Sequence, residues 1–294
     1  MRTPLLRIAG VGIAGTALLV GGLTSTAGTA APAAPRAASS DRAERAAAAP
    51  RFVFTDSFGT GTAPAQPPWS HRNPPPQNTT TCTTRATEPF KRSRSRSTDA
   101  VTPVGGRELR LLVKRRRCAD GSHVHRTGQI GTENTFHLDP ALSRRWVVSA
   151  RMKVPKTSGN FSALWTRAVS GAGNPNEVDI VESFGADAAC PLRTNFYRTY
   201  ETDGFKRQVC LSTRAGVPRR PWAAFHTYTM VWRPGVSTVI KIDGRKVYEY
   251  GRRATPDNLS FVILSNLLNN GKRVRGGTAA QSDLEVAWVK ALGY

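Results

Sequence analysis

Apolar residues recur in short alternating or β-branched runs, never at helical spacing. The runs are Phe52 to Phe54, Leu109 to Val113, Trp146 to Val154, Phe161 to Thr166, Glu177 to Phe184, Asn195 to Tyr200, Thr227 to Trp232, Val239 to Ile242, Val247 to Tyr250, Leu259 to Asn266 and Leu284 to Val289. Period-two alternation bounded by Gly, Pro, Asn and Asp clusters marks strands with one buried face. The pattern therefore predicts about eleven strands in an all-β sandwich or barrel. Asp243-Gly244 supplies the positive φ angles of a two-residue type I′ turn, so Thr238 to Tyr248 is expected to form a hairpin. Trp69 to Lys91, rich in Pro, Asn and Thr, reads as a long surface loop.

The first residues break this pattern. Residues 1–30 combine Arg2 and Arg7, an apolar stretch from Ile8 to Leu23 and a small-residue zone at Ala27 to Ala31, the layout of a secretory signal peptide. The apolar stretch falls short of the roughly 20 residues of a spanning helix, so export is expected and membrane anchoring is not. Residues 31–50 are an Ala- and Pro-rich linker without apolar periodicity, which leaves 51–294 as the folded domain. Export would carry Cys82, Cys118, Cys190 and Cys210 into an oxidising compartment. Four cysteines allow three pairings. Spacing favours Cys82 with Cys118 and Cys190 with Cys210, and the lack of a C-x-x-C or of a His beside a Cys argues against zinc.

Hydrophobic residues make up 39% of the 294-residue chain and are evenly scattered, which excludes collagen, a polytopic membrane protein and full disorder. Against 20 acids stand 42 Lys and Arg, a formal charge of +22. Such an excess favours polyanions. The runs Lys91 to Arg96 and Lys114 to Arg117 would suit anionic wall polymers, sulfated glycans or uronates, or form a solvated basic surface. Nucleic acid is not an expected partner of an exported protein, and the chain is expected to act as a monomer.

Acids are scarce, yet three of them lie in Asn176-Glu-Val-Asp-Ile-Val-Glu-Ser-Phe-Gly185. In a regular strand Glu177 and Asp179 share one face while Val178 and Ile180 take the other. Glu182 is out of phase and would enter the core, where an unpaired carboxylate is costly. A β-bulge at Ile180 or Val181 restores the phase, and bulges recur beside active sites. With it, Glu177 and Glu182 are about 13 Å apart at Cα. Their side chains can then converge to the roughly 5–5.5 Å of double-displacement glycoside hydrolysis, with Asp179 between them. The competing reading is an edge strand with an acidic solvent face.

These residues resemble glycoside hydrolase family 16, the laminarinase and lichenase type of endo-β-glucanase, whose signature is E-x-D-x-x-E. Around the motif, Trp146 to Lys156, Gly159 to Trp165, Asn195 to Tyr197, Phe225 to Tyr228, Trp232-Arg-Pro, Ile242-Asp-Gly244, Ser265 to Asn269 and Ala287 to Val289 follow the family's order. The resemblance implies a concanavalin A-like β-jelly-roll sandwich with a concave substrate cleft. It assigns Glu177 as nucleophile, Asp179 as helper and Glu182 as acid/base, with Trp165, Asn195, Tyr197 and Asn266 contacting sugar. It further implies a polysaccharide substrate, β-1,3 or mixed β-1,3/1,4-glucan, cleaved internally with retention. No cofactor is expected, since Ala287 replaces an Asp that binds structural calcium in some members. Phe161, Asn174 to Asn176 and Leu268 lack common cleft tryptophans, which weakens the stacking platform. A lectin-like jelly roll and a hydrolase of an acidic or sulfated galactan are the alternatives. His226 reads as structural, His123 and His125 as lacking a third metal ligand, Trp146, Trp232 and Trp288 as core, and Trp222 as a candidate cleft-edge aromatic.

Overall fold

A computed structural model describes residues 49–58, 70–71, 95–96, 101–104, 108–117, 121, 123–157, 159–169, 176–186, 188–198, 205–268 and 281–294. The strands are β1 (Phe52–Asp56), β2 (Ser70–His71), β3 (Ser95–Arg96), β4 (Val101–Val104), β5 (Glu108–Arg117), β6 (His123–Gly131), β7 (Trp146–Lys153) and β8 (Asn160–Ala168). They continue with β9 (Asn176–Ser183), β10 (Leu192–Arg198), β11 (Lys206–Cys210), β12 (His226–Arg233), β13 (Ser237–Ile242), β14 (Arg245–Tyr250), β15 (Ser260–Leu268) and β16 (Gln281–Gly293). Every run with apolar alternation is among them. The additional strands are short or poorly patterned: β6 is interrupted by Gly128 and ends on Gly131, and β11 opens on three exposed polar residues.

The ladder runs β11-β10-β9-β8-β15-β6-β5-β16-β7-β12-β13-β14. It is antiparallel except where two-residue β3 lies beside β6. β6 turns this ladder from one layer into the other, pairing Thr127 with Val113 of β5 and then Gln129 with Ser265 of β15. The result is a jelly-roll sandwich. Val178, Ile180 and Val181 of β9 and Leu164 of β8 belong to the same buried cluster as Trp146, Val148, Ala150 and Met152 of β7 and Tyr228, Met230 and Trp232 of β12. Burying these apolar side chains drives the assembly, at about 1.5–3 kcal/mol for each large one.

Period two explains most of these positions, and bulges explain two departures. In β16 the pairing slips between Val286 and Trp288, so Ala287 is an extra residue. Leu284 and Val286 before it, and Val289 and Ala291 after it, all face inward. Trp288, expected in the core, is thereby turned outward, half-buried, with Lys290 Nζ 4.8 Å from its ring centroid. At the predicted hairpin, Ile242 pairs with Arg245 across Asp243 and Gly244, whose φ angles are +49° and +80°. His226 is structural: its Nδ1 lies 2.7 Å from Asp243 Oδ2, and Asp243 Oδ1 accepts from Thr227 N at 2.9 Å.

Asn266 is a correction to the expected sugar contacts. Its neighbour Ser265 shares the face of Trp165, whose Nε1 donates to Ser265 Oγ at 3.2 Å. Asn266 therefore points into the sandwich, where Nδ2 donates to the carbonyls of Leu111 at 2.7 Å and Ser282 at 2.8 Å in the opposite layer. Its Oδ1 accepts from Ser162 Oγ at 2.9 Å. It ties the layers together and satisfies backbone oxygens that burial would otherwise strand.

Cys190 and Cys210 are bonded, with Cα atoms 5.8 Å apart, and close the segment from before β10 to the end of β11. Cys82 and Cys118, the signal segment, the linker up to residue 48, and the side chains of the two basic runs other than Lys114 lie outside the described residues.

Candidate active site

The site is built on one irregularity in β9. On the β8 side Val181 pairs with Leu164 and Asp179 with Trp165, so Ile180 falls between two consecutive partners. On the β10 side Glu182 faces Arg193 and Asp179 faces Asn195, again with one residue too many in β9. Val178, Ile180 and Val181 all stay in the core, and Glu177, Asp179 and Glu182 all emerge on the opposite face. Cross-strand pairing arranges that face as three rows. They are Arg167–Glu177–Tyr197, Trp165–Asp179–Asn195 and Ala163–Glu182–Arg193.

One side chain joins the central acids. Asn195 Nδ2 donates to Asp179 Oδ2 at 3.0 Å and also to Glu182 Oε2. Asp179 is held from behind as well, where Thr194 Oγ1 donates to its carbonyl at 2.7 Å and Tyr250 Oη donates to Thr194 at 3.0 Å. Asn195, expected to touch sugar, thus commits its amide nitrogen to the two carboxyl groups, while its Oδ1 is buried with no hydrogen-bond partner among the described residues. A donor shared in this way fixes both carboxyl groups relative to each other.

Electrostatics follow from burial. Asp179 and Glu182 are 3% and 6% exposed. Burial, then Glu182 and Glu177, push Asp179 well above the usual carboxylate range. Burial pushes Glu182 up to about 7, with Glu177 adding to the rise and Asn195, Arg193 and Lys206 opposing it. Desolvation disfavours the charged form of an acid, and neighbouring carboxylates reinforce it. Glu182 is therefore able to hold a proton at near-neutral pH, the requirement of a general acid. Glu177, at the far row and half-buried, completes a pair of glutamates with Asp179 between them.

The walls come partly from residues that sequence reasoning passed over. Tyr197 accepts from Gln208 Nε2 at 2.8 Å and lies under Lys206, whose Nζ is 5.0 Å from the ring. Burial and the nearby Asp179 push its phenol up, so it stays protonated. At the Glu182 end, Phe161 and Phe184 stack at 5.2 Å, and the Arg193 guanidinium lies over Phe184 at 4.8 Å. Phe161 thus replaces the common tryptophan with a smaller ring backed by a second one. Strand parity could have found Arg193, two residues before Asn195. Trp222 packs against the hydrophobic core. The side chains of His123, His125 and Leu268 are outside the described residues. Among the described residues no group of three or more His, Cys, Asp or Glu is placed to hold a metal ion.

A family model, glycosyl hydrolases family 16, matches residues 146–290, a span that includes all three acids. No curated protein matches the chain. Solved structures do. The laminarinase catalytic domain from Thermotoga maritima is 15% identical with a TM-score of 0.62, covering 84% of this chain and 99% of that one. The endo-β-1,3-glucanase from Pyrococcus furiosus is 20% identical with a TM-score of 0.53, covering 67% and 79%. A Bacteroides ovatus mixed-linkage glucan protein, solved with a product, is 16% identical with a TM-score of 0.59, covering 81% and 99%.

Proposed function

Since the chain belongs to glycosyl hydrolases family 16 through residues 146–290, and is a glycoside hydrolase, we propose that it is an exported, retaining endo-β-glucanase acting on β-1,3 or mixed β-1,3/1,4 linkages. The observation that carries this reading is the Ile180 bulge, which gathers Glu177, Asp179 and Glu182 on one face and buries Glu182 enough to push its carboxyl group up to about 7. The β-glucanase structures that share the fold support the choice of substrate.

In this reading Glu177 attacks the anomeric carbon as Glu182 gives its proton to the departing glycosidic oxygen. Glu182, now ionised, takes a proton from water, which displaces Glu177 from the same face as the departed sugar. Two inversions give net retention. Asp179 and Asn195 hold Glu182 in place through both steps, and Trp165 and Tyr197 offer ring faces to sugar C–H surfaces.

A second reading, hydrolysis of an acidic or sulfated galactan, is favoured by Arg193 and Lys206, which flank the acids on the cleft face. Reducing-end release from laminarin, barley glucan, agarose and carrageenan separates the two. Release from laminarin or barley glucan, with the β-anomer first by NMR, is expected. Release from carrageenan alone would select the second reading, and an α-anomer first would overturn retention.

A further inference from the structure

Away from the acids, cations gather where the free edges of the two layers meet. β11 ends one layer and β14 the other. Arg207 of β11 reaches across to β14, its Nε donating to Tyr248 Oη at 3.2 Å. The Arg214 guanidinium lies over the same ring, 4.7 Å from its centroid. A second ring, Phe205, carries Arg253 at 4.8 Å and Arg198 at 5.9 Å, and Arg198 Nη2 donates to the Arg253 carbonyl at 3.0 Å. Phe196 and Tyr250 link the two rings, with successive centroids 6.0, 6.4 and 4.8 Å apart from Phe205 to Tyr248. Arg198, Arg252 and Arg253 line one indentation together with Asp257.

An edge strand needs charge to deter pairing, and a scatter of lysines would provide it. This edge has more than charge. Arg214 is stacked on Tyr248 and Arg253 on Phe205, and a stacked guanidinium keeps a fixed plane from which its N–H fork can meet an oxyanion in bidentate fashion. Arg207 and Arg214 are exposed, whereas exposed Lys246 is already paired with Glu249 at 3.1 Å. Holding like charges on one ring is unfavourable unless an anion lies between them. Two such pairs along one edge match a ligand whose anionic groups repeat. The edge also adjoins the cleft, since Lys206 stacks on Tyr197 there and Arg207 is the next residue.

We propose that the β11–β14 edge binds an anionic polysaccharide, a glycan bearing sulfate or carboxylate groups, at a site separate from the catalytic acids. The proposal does not depend on which glycan the cleft cleaves.

The test measures binding of the full chain to dextran sulfate, polygalacturonate, neutral dextran and single-stranded DNA over a range of salt. Arg207→Gln/Arg214→Gln is compared with Arg51→Gln/Arg144→Gln, a pair of exposed arginines elsewhere, so that both variants lose the same charge. Wild type should bind dextran sulfate or polygalacturonate and not dextran. The edge variant should lose about tenfold in affinity and flatten the dependence on salt by about two ion contacts, while the control pair should lose less than threefold. Circular dichroism checks that each variant is folded, and Arg214→Gln alone, which spares the Arg207–Tyr248 bond, serves if the double variant is not. Equal losses in the two pairs would overturn the proposal in favour of net charge. Tighter binding to DNA than to either glycan would overturn it in favour of a nucleic-acid surface.

Discussion

Asn195 gives one amide nitrogen to both Asp179 and Glu182, so the carboxyl group proposed to donate the proton is not positioned independently of its neighbour. The donor favours the ionised forms, while burial favours the protonated ones and prevails.

Removing that donor should leave burial unopposed. In Asn195→Ala the alkaline limb of kcat/KM is expected to move above the wild-type limb near pH 7. The rate at the optimum should fall by about tenfold or more, in line with the loss of a hydrogen bond to a charged group. A full pH–rate profile checks both; an unmoved limb would mean that Asn195 serves only packing.

Stability should respond to the same carboxyl group with a definite sign. The Glu182 pKa is raised from 4.5 to about 7, so between those values the folded state binds more protons than the unfolded one, and stability falls as pH rises. Glu182→Gln removes this term. Its melting temperature should match wild type near pH 4 and exceed it increasingly toward pH 8, by up to a few kcal/mol in stability. Thermal melts across that range decide it.

Azide should separate the two glutamates. In Glu182→Ala an activated aryl glycoside still forms the glycosyl-enzyme, and azide then gives a β-glycosyl azide. In Glu177→Ala azide enters from the vacated side and gives the α product, because the carboxyl groups flank the anomeric carbon from opposite faces. NMR of the products reads the outcome, and the same anomer from both variants would reverse or abolish the assignment.

The hairpin offers a test of the fold remote from the acids. Gly244 has φ +80° and open space where a Cβ would sit, so Gly244→Ala should cost only backbone strain, about 1 kcal/mol. Denaturant unfolding should show that loss with no change in catalysis.

Much of this architecture was legible in the chain because period two leaves a clear trace where one face is buried. The phase error at Glu182 pointed to the bulge, since a regular strand would turn that carboxylate into the core. Where that trace is weak, the reading failed for physical reasons. β6 is rich in polar residues and Gly, and β11 is a polar edge, so neither alternates. Asn266 sits in a motif whose order matched, but order does not give parity, and its neighbour Ser265 is the one on the face of Trp165. Trp288 was misread because Ala287, with a small apolar side chain, gives no sign of being the extra residue. Arg193 meets Glu182 through a cross-strand register that depends on the connection between β9 and β10.

The extra residue at Ile180 has a consequence for assembly as well. A strand of strict period two can slide by two residues along its neighbours and still bury an apolar face. β9 has no such regular alternative, because a ladder to β8 and β10 without its unmatched residue would turn either Glu182 or Glu177 and Asp179 into the interior. The irregularity that aims Glu182 outward thus also sets how this sheet can close, since only the bulged pairing keeps every acid out of the core.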